Sequence, residues 1–282
     1  MRLSRWLLVP LILIVVLAVY IFVVSSWNYS TGERAGWVQK LSRKGWLCKT
    51  WEGELSLVSM PGAAPEMFLS GRQGTATLPV GFGFGGSYGA TVHGLRPPTL
   101  DANGQVPRGF VDDDPTNTFT FREGNGVARH DFTVPANQLL LRVALFDELT
   151  DGQDDLDLFL FYCATGNQCS QLAKSDDETS DEQIDISNPV AGSYVLLVHG
   201  FETDQVAGGP GANYSLFTWS IGRNDIAGNL SVTAPTTAAN GDRVDLQLQW
   251  SGLDPASRYL GAISHTTPNG LYGATLVNVV TP

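Results

Sequence analysis

Val244, Leu246, Leu248 and Trp250 alternate with Asp245, Gln247 and Gln249, and this period of two recurs along most of the chain. Phe217, Trp219 and Ile221 face one way with Thr218 and Ser220 opposite. Leu139, Leu141, Val143 and Leu145 form another apolar row, from which Arg142 points away. Leu156, Leu158 and Leu160 alternate with Asp155, Asp157 and Phe159. Successive side chains of a strand point to opposite faces, so such rows read as half-buried antiparallel strands. Tyr194 to Val198 is a continuous apolar run, suited to a strand buried on both faces. Gly, Pro, Asn and Asp break the runs, and no stretch of 70–282 sustains a helical period. The expectation is an all-β fold of β-sandwich modules, jelly-roll or Ig-like. Glycine seams at Gly124–Gly126 and Gly222–Gly228 divide it into a β segment at 70–125, a sandwich at 126–222 and a small Ig-like module at 226–282.

One N-terminal transmembrane helix is expected ahead of these modules. Trp6 to Val24 is nineteen residues without a charge, preceded by Arg2 and Arg5 in a five-residue tail. That length crosses the roughly 30 Å hydrocarbon layer as a helix, and Trp27 and Tyr29 follow as interface anchors. A cleaved signal peptide ending at Val24-Ser25-Ser26 competes, but the apolar run exceeds the about 7–15 residues usual for one. Arg34, Lys40, Arg43 and Lys44 after the span favour a cytoplasmic body by charge count alone. Long domains translocate largely regardless of such counts, so the amino terminus is placed inside and the body outside, at a cell surface or in a periplasm.

Charge divides the chain differently from hydropathy. Residues 1–50 carry a net charge of +6 and residues 51–282 a net of −17, with Lys174 the one lysine beyond Lys49. An acidic, lysine-poor body lacks the basic stripe that phosphate backbones require, which excludes nucleic acid as a partner. Within the juxtamembrane stretch 25–69, Trp37 to Arg43 reads as a short helix stopped by Gly45, and Thr50 to Val58 as a strand. Tyr29-Ser30-Thr31-Gly32-Glu33-Arg34-Ala35-Gly36 and Lys44-Gly45-Trp46-Leu47-Cys48-Lys49-Thr50-Trp51 resemble a family of small, uncharacterised, membrane-anchored bacterial proteins. That resemblance ends near Leu69–Gly71, where the chain reads as two ancestries joined. Cys48, without an obvious mate, reads as a disulfide half or a reactive thiol.

The later modules carry two further resemblances. The strand Asp154-Asp155-Leu156-Asp157-Leu158-Phe159-Leu160-Phe161 and the turn Ser187-Asn188-Pro189-Val190-Ala191-Gly192-Ser193-Tyr194 resemble the bacterial pre-peptidase C-terminal domain. Gly228-Asn229-Leu230-Ser231-Val232-Thr233-Ala234-Pro235, Trp250-Ser251-Gly252-Leu253 and Arg258-Tyr259-Leu260-Gly261-Ala262-Ile263 are similar to the fibronectin-III-like module that ends many secreted subtilases. Leu78 to Phe82 and Val92 to Leu95 also look like subtilase sequence downstream of the catalytic part. The resemblance implies an accessory region of a serine peptidase. Peptidase activity would need the Asp, His-Gly-Thr and Gly-Thr-Ser segments of the triad, and none occurs. His93, His130, His199 and His265 have no nucleophile signature near them and read as surface or strand residues.

Four features carry potential chemistry. Asp147, Asp151, Asp154, Asp155 and Asp157 crowd one loop and strand start, and Asp176 to Glu182 another. Clustered carboxylates suit calcium, which takes six to eight oxygens from loops, or a solvated charged loop. The resembling domain family includes calcium-binding members, so the resemblance implies calcium as a candidate cofactor beside the solvated-loop reading, with the first five acids as its ligands. Cys163 and Cys169 flank Ala-Thr-Gly-Asn-Gln, a tip that turns back between paired strands, and are expected to bridge in an oxidising compartment. Gly81-Phe82-Gly83-Phe84-Gly85-Gly86 matches the dinucleotide string without the following helix that phosphate binding needs, and reads as a β turn. Phe82, Phe84 and Tyr88 read either as packing or as an exposed face for polymer or protein.

Together these readings point to a non-catalytic, membrane-anchored accessory protein that binds a protein or polysaccharide or assists secretion of a protease. The alternatives are the C-terminal fragment of a subtilisin-like endopeptidase lacking its catalytic domain, and a structural module without a ligand.

Overall fold

The computed structural model describes residues 36–44, 50–57, 65–121, 124, 126–164, 168–206 and 209–282. The chain separates into two compact units, with the boundary between Met60 and Pro61. In the first, β1 (Gly36–Lys44) pairs antiparallel with β2 (Thr50–Leu57). The short helix expected over Trp37–Arg43 is therefore a strand. Seven residues are too few for a helix to hold by itself, whereas the facing strand pairs this backbone from Gly36↔Leu57 to Lys44↔Thr50, with a register shift between Val38 and Lys40. The expected transmembrane span at 6–24 and Cys48 lie outside the described residues. Among the described residues no helix is long and apolar enough to cross a membrane.

The second unit is all β and contains two sandwiches, one nested in the other. The outer sandwich has two sheets. One orders β17 (Leu230–Thr233), β19 (Arg243–Trp250) and β4 (Gly74–Gly81). The other orders β3 (Glu66–Ser70), β21 (Gly270–Val280), β20 (Arg258–Thr267) and β6 (Gly89–Arg96), with β3 parallel to β21. A two-residue ladder joins β5 (Gly86–Ser87) to β18 (Thr237–Ala238). Seven principal strands in sheets of three and four is the Ig-like arrangement. The alternation of Leu246, Leu248 and Trp250 faces this core, together with Leu78, Tyr259, Ile263, Val277 and Val279.

This pairing revises three sequence boundaries. The Ig-like module is not contained in 226–282, because β3, β4 and β6 come from before residue 97. The 70–125 stretch is not a segment of its own: its first strands complete the outer sandwich and its last, β7 (Arg108–Asp112), joins the inner one. The seam at Leu69–Gly71 runs through β3 and its exit, where Gly71 N–H donates to Val280 O at 2.9 Å. Period-two patterning shows which residues form strands but not which strand each will pair with. Gly81 closes β4 and Gly86 opens β5 with a bend at Gly83 and Phe84 between them, and Phe82 and Tyr88 are buried in the outer core with Phe84 packed against it. Those rings therefore pack the core rather than form a binding face.

The inner sandwich is inserted between β6 and β17. Its larger sheet orders β11 (Gln168–Ser175), β10 (Asp155–Ala164), β13 (Gly192–Glu202) and β8 (Val127–Val134). The smaller orders β12 (Gln183–Ser187), β9 (Gln138–Ala144) and β16 (Phe217–Gly222). A third sheet of β14 (Gln205–Val206), β15 (Gly209–Ser215) and β7 closes one side. Leu141, Val143 and Leu145 meet Leu156, Leu158, Leu160, Leu196 and Val198 between the two main sheets. Departing and returning chains are stitched together at the insertion point. Asn229 bonds both backbone groups of Leu95, Gly94 N–H donates to Asp225 O at 3.1 Å, and Arg96 pairs with Asp225 at 2.8 Å. A Cβ on Gly94 would lie 2.4 Å from that of Ala227, so only glycine allows this approach.

The smaller inner sheet is buried on both faces. Its second face, with Leu140, Ala144, Phe217, Trp219 and Ile221, packs on Leu260, Ala262 and Leu276 of the outer sandwich. Arg142 lies on this face. It points away from the inner core, as its position in the alternation requires, yet it is 2% exposed. Its Nε and Nη2 donate to Asp185 at 2.7 and 2.6 Å, Nη2 also to Glu66 at 2.6 Å, and Nη1 to Asn278 Oδ1 at 2.7 Å. Burial opposes its charge, but the Asp185 and Glu66 carboxylates more than offset this and hold its pKa above the ordinary value. Removing one partner of a buried ion pair strands the others. Arg142→Ala is expected to lower stability by on the order of 3 kcal/mol in urea unfolding; an unchanged midpoint would contradict the role given to this residue.

Candidate functional site

The acids named from the sequence gather at one end of the inner sandwich, where β10 starts and β13 ends, but they do not converge. Asp147 lies in a 3-10 turn, its N–H donating to Asp181 at 2.9 Å. Asp151 accepts from the backbone N–H and the side-chain amide of Asn213 at 2.7 and 2.6 Å. Asp154 is buried, with one carboxylate oxygen accepting from Asp204 N–H at 3.2 Å and the other without a hydrogen-bond partner. Asp155 also has an unpartnered oxygen, and Asp157 is committed to His199. Among the described residues no three His, Cys, Asp or Glu side chains group so as to hold an ion. As arranged, the five expected ligands do not fit a single calcium ion.

Two carboxyls at this end are held above the ordinary carboxylate range. Burial pushes the Asp155 carboxyl up to about 6, with the charges of Asp157, Glu202 and Glu178 adding to it. Glu182, fully buried, is pushed up to about 7, again chiefly by burial. A neutral carboxyl removes the cost of burying a charge.

Beside these acids, His199 on β13 is 1% exposed and lies between two carboxylates. Its Nδ1 is 2.8 Å from Asp157 Oδ2 and its Nε2 is 3.0 Å from Asp114 Oδ2. An imidazole bonded to a carboxylate at each nitrogen donates twice only as the imidazolium. Burial opposes that charge, but the bonds to Asp157 and Asp114 outweigh it and raise the His199 pKa. Asp114, despite its own burial, is held well below the usual carboxylate range by His199 and by the backbone and hydroxyl of Thr116. It also accepts from Thr118 N–H at 3.0 Å, which shapes the start of the segment 113–121 into a turn. That segment crosses the outer face of the larger sheet as a strap. Phe119 stacks on Phe159 with centroids 3.7 Å apart, and Phe121 meets Phe161 edge-on at 4.5 Å. Beneath the strap lie Val127, Val195 and Leu197.

Where the strap ends at Phe121, the sheet face opens into a groove of about 380 Å³. Its floor carries Arg129, Asp131 and Thr133 of β8 beside Ser193 and Val195 of β13, and the Cys163–Cys169 disulfide borders it. The bridge is the one expected: the two cysteines are directly opposite across the β10–β11 pairing, with Cα atoms 4.0 Å apart. Sequence reasoning missed both the strap and the His199 pin. The available signal was that Asp155, Asp157, Phe159 and Phe161 share the strand face opposite Leu156, Leu158 and Leu160, and two large aromatic rings on that face call for a cover.

The other histidines lie on strands. His93 meets Ser264 Oγ at 2.9 Å, His130 meets the Tyr214 hydroxyl at 2.8 Å, and His265 lies between Tyr88 and Thr275 at 2.7 and 2.9 Å. His93 and Ser264, a nucleophile-and-base pair in type, are 4% and 6% exposed between β6 and β20, with no room for a substrate.

Residues 126–200 match the bacterial pre-peptidase C-terminal domain family, which spans the inner sandwich from β8 through most of β13. Such domains are non-catalytic and typical of the C-terminal accessory regions of proteases. The match does not extend to 1–69 or 226–282. No curated protein matches. Among solved structures, the crystal structure of a mitogen derived from Yersinia pseudotuberculosis is similar over 40% of this chain and 93% of that chain at 13% identity. Its TM-score of 0.21 carries no fold argument.

The titrating groups give stability a definite pH profile. His199 is raised, so its contribution is full below its unfolded value of about 6.5 and is lost as pH rises through the folded value. Asp155 and Glu182 are raised acids. The folded chain therefore holds more protons than the unfolded one between about 4 and 7, and stability again falls with rising pH. Asp114 is lowered, so its contribution is lost as pH drops below about 4. The melting temperature is expected to peak near pH 5 and to fall toward pH 8, less steeply in Glu182→Gln. A profile that rises from pH 5 to pH 8 would exclude this assignment.

Proposed function

We propose that this chain is a non-catalytic accessory protein of the protease-associated type, whose inner sandwich binds an extracytoplasmic polymer or protein. The match of residues 126–200 to a protease accessory domain carries the reading, and the open groove on that same sandwich supports it. The span at 6–24 anchors the chain in a membrane, with the acidic body outside. In this role the protein holds a target or surface near a protease, or aids that protease's export, and performs no hydrolysis itself.

The same match favours a second reading, in which the chain descends from the C-terminal end of a subtilisin-like endopeptidase. Strand β3 then bears on where a join could lie, since a break between residues 66 and 71 would remove a strand of the outer sandwich. Long-read sequencing of the locus separates the two: an intact upstream subtilase frame supports the second reading.

Casein incubated with the purified chain is expected to stay intact at the level of a no-enzyme control. Retention on at least one immobilised polysaccharide or protein is expected alongside it. Hydrolysis above the control would overturn the non-catalytic assignment.

A further inference from the structure

We propose that the groove beside Phe121 is a cleft for a neutral polysaccharide chain; this rests on the reading of the inner sandwich as a binding domain and names its ligand class and its site. The placement is set by the strap. Phe119 seals one half of the outer sheet face, and Phe121, a residue 44% exposed, ends the seal with its ring edge-on against Phe161. A ring fixed this way at a groove wall offers its electron-rich face to the C–H side of a pyranose.

The floor supplies the complementary polar chemistry. Arg129 donates through Nε and Nη2 to the two carboxylate oxygens of Asp131 at 2.9 and 2.7 Å, so a donor group and an acceptor group lie side by side on an exposed surface. A sugar diol both accepts and donates, and matches such a pair. Thr133 and Ser193, cross-strand neighbours and both exposed, add hydroxyls that do the same.

Charge decides against the other polymers. The Arg129–Asp131 pair is neutral as a unit, and the chain carries a net −11, so a polyanion is repelled. An extended peptide would gain its main-chain bonds along a sheet edge, whereas the groove opens on the sheet face, where the backbone of β13 is already paired with β8 and β10. An apolar partner would need a larger hydrophobic area than Phe121, Val195 and the disulfide provide.

The test is retention of the full 282-residue chain on cellulose, chitin and starch, with alginate as the polyanion and gelatin as the protein. Two variants accompany it: Phe121→Ala, and Ser193→Arg, which places bulk in the groove from an exposed position that the core does not use. The expected result is retention on at least one of the three neutral polysaccharides. Phe121→Ala should weaken it by about tenfold, the scale of one lost ring contact. Ser193→Arg should abolish it with the melting temperature unchanged. Retention only on alginate or gelatin, or retention indifferent to both variants, overturns this inference and leaves the proposed function standing. No retention on any of the five probes overturns both.

Discussion

The Arg142 guanidinium is the point on which the second unit depends. It extends from the smaller inner sheet and is met by Asp185 from its own sandwich and by Glu66 and Asn278 from the outer one. Asn278 in turn donates to Glu66 at 3.0 Å, which closes the network. A buried cation is tolerated only when paired and fully hydrogen-bonded. That condition here requires β3, β9, β12 and β21 to be in place together. The apolar layer around it, from Leu140 and Trp219 to Leu260 and Leu276, makes the contact a true interior rather than a wet domain boundary. At its rim Arg258 lies over the Phe146 ring at 3.8 Å and pairs with Glu148.

The nested architecture follows from this contact. An insertion between β6 and β17 needs its two ends close together. Asn229 and Asp225 supply that closeness by bonding to Leu95, Gly94 and Arg96. The outer sandwich is thereby assembled from strands more than a hundred residues apart, as in the pairing of Leu78 with Leu246.

Strand character was legible in the sequence because it is local: the Leu246–Leu248–Trp250 row and the Tyr194–Val198 run lie where the alternation puts them. Pairing was not legible, since a strand's partner is set by tertiary context. For that reason 226–282 read as a module although it lacks three of its strands. Arg142 shows the same limit at a single residue. Alternation correctly set it opposite the inner core, but the cover on that opposite face comes from another sandwich. The Cys163–Cys169 bridge was legible because both cysteines and their turn lie within one hairpin. The candidate site was only partly so. The acids at 147–157 were visible as a cluster, but Asp114 is supplied by the strap and His199 by the far end of β13, and no spacing rule links them.

The Ig-like sandwich exists only when residues 66–96 pair with residues 230–280. Amide NMR spectra of 226–282 alone and of 61–282 test this most directly. Narrow, disordered amide shifts are expected for the short piece and a dispersed β spectrum for the long one. A dispersed, cooperatively unfolding spectrum from 226–282 alone would contradict it.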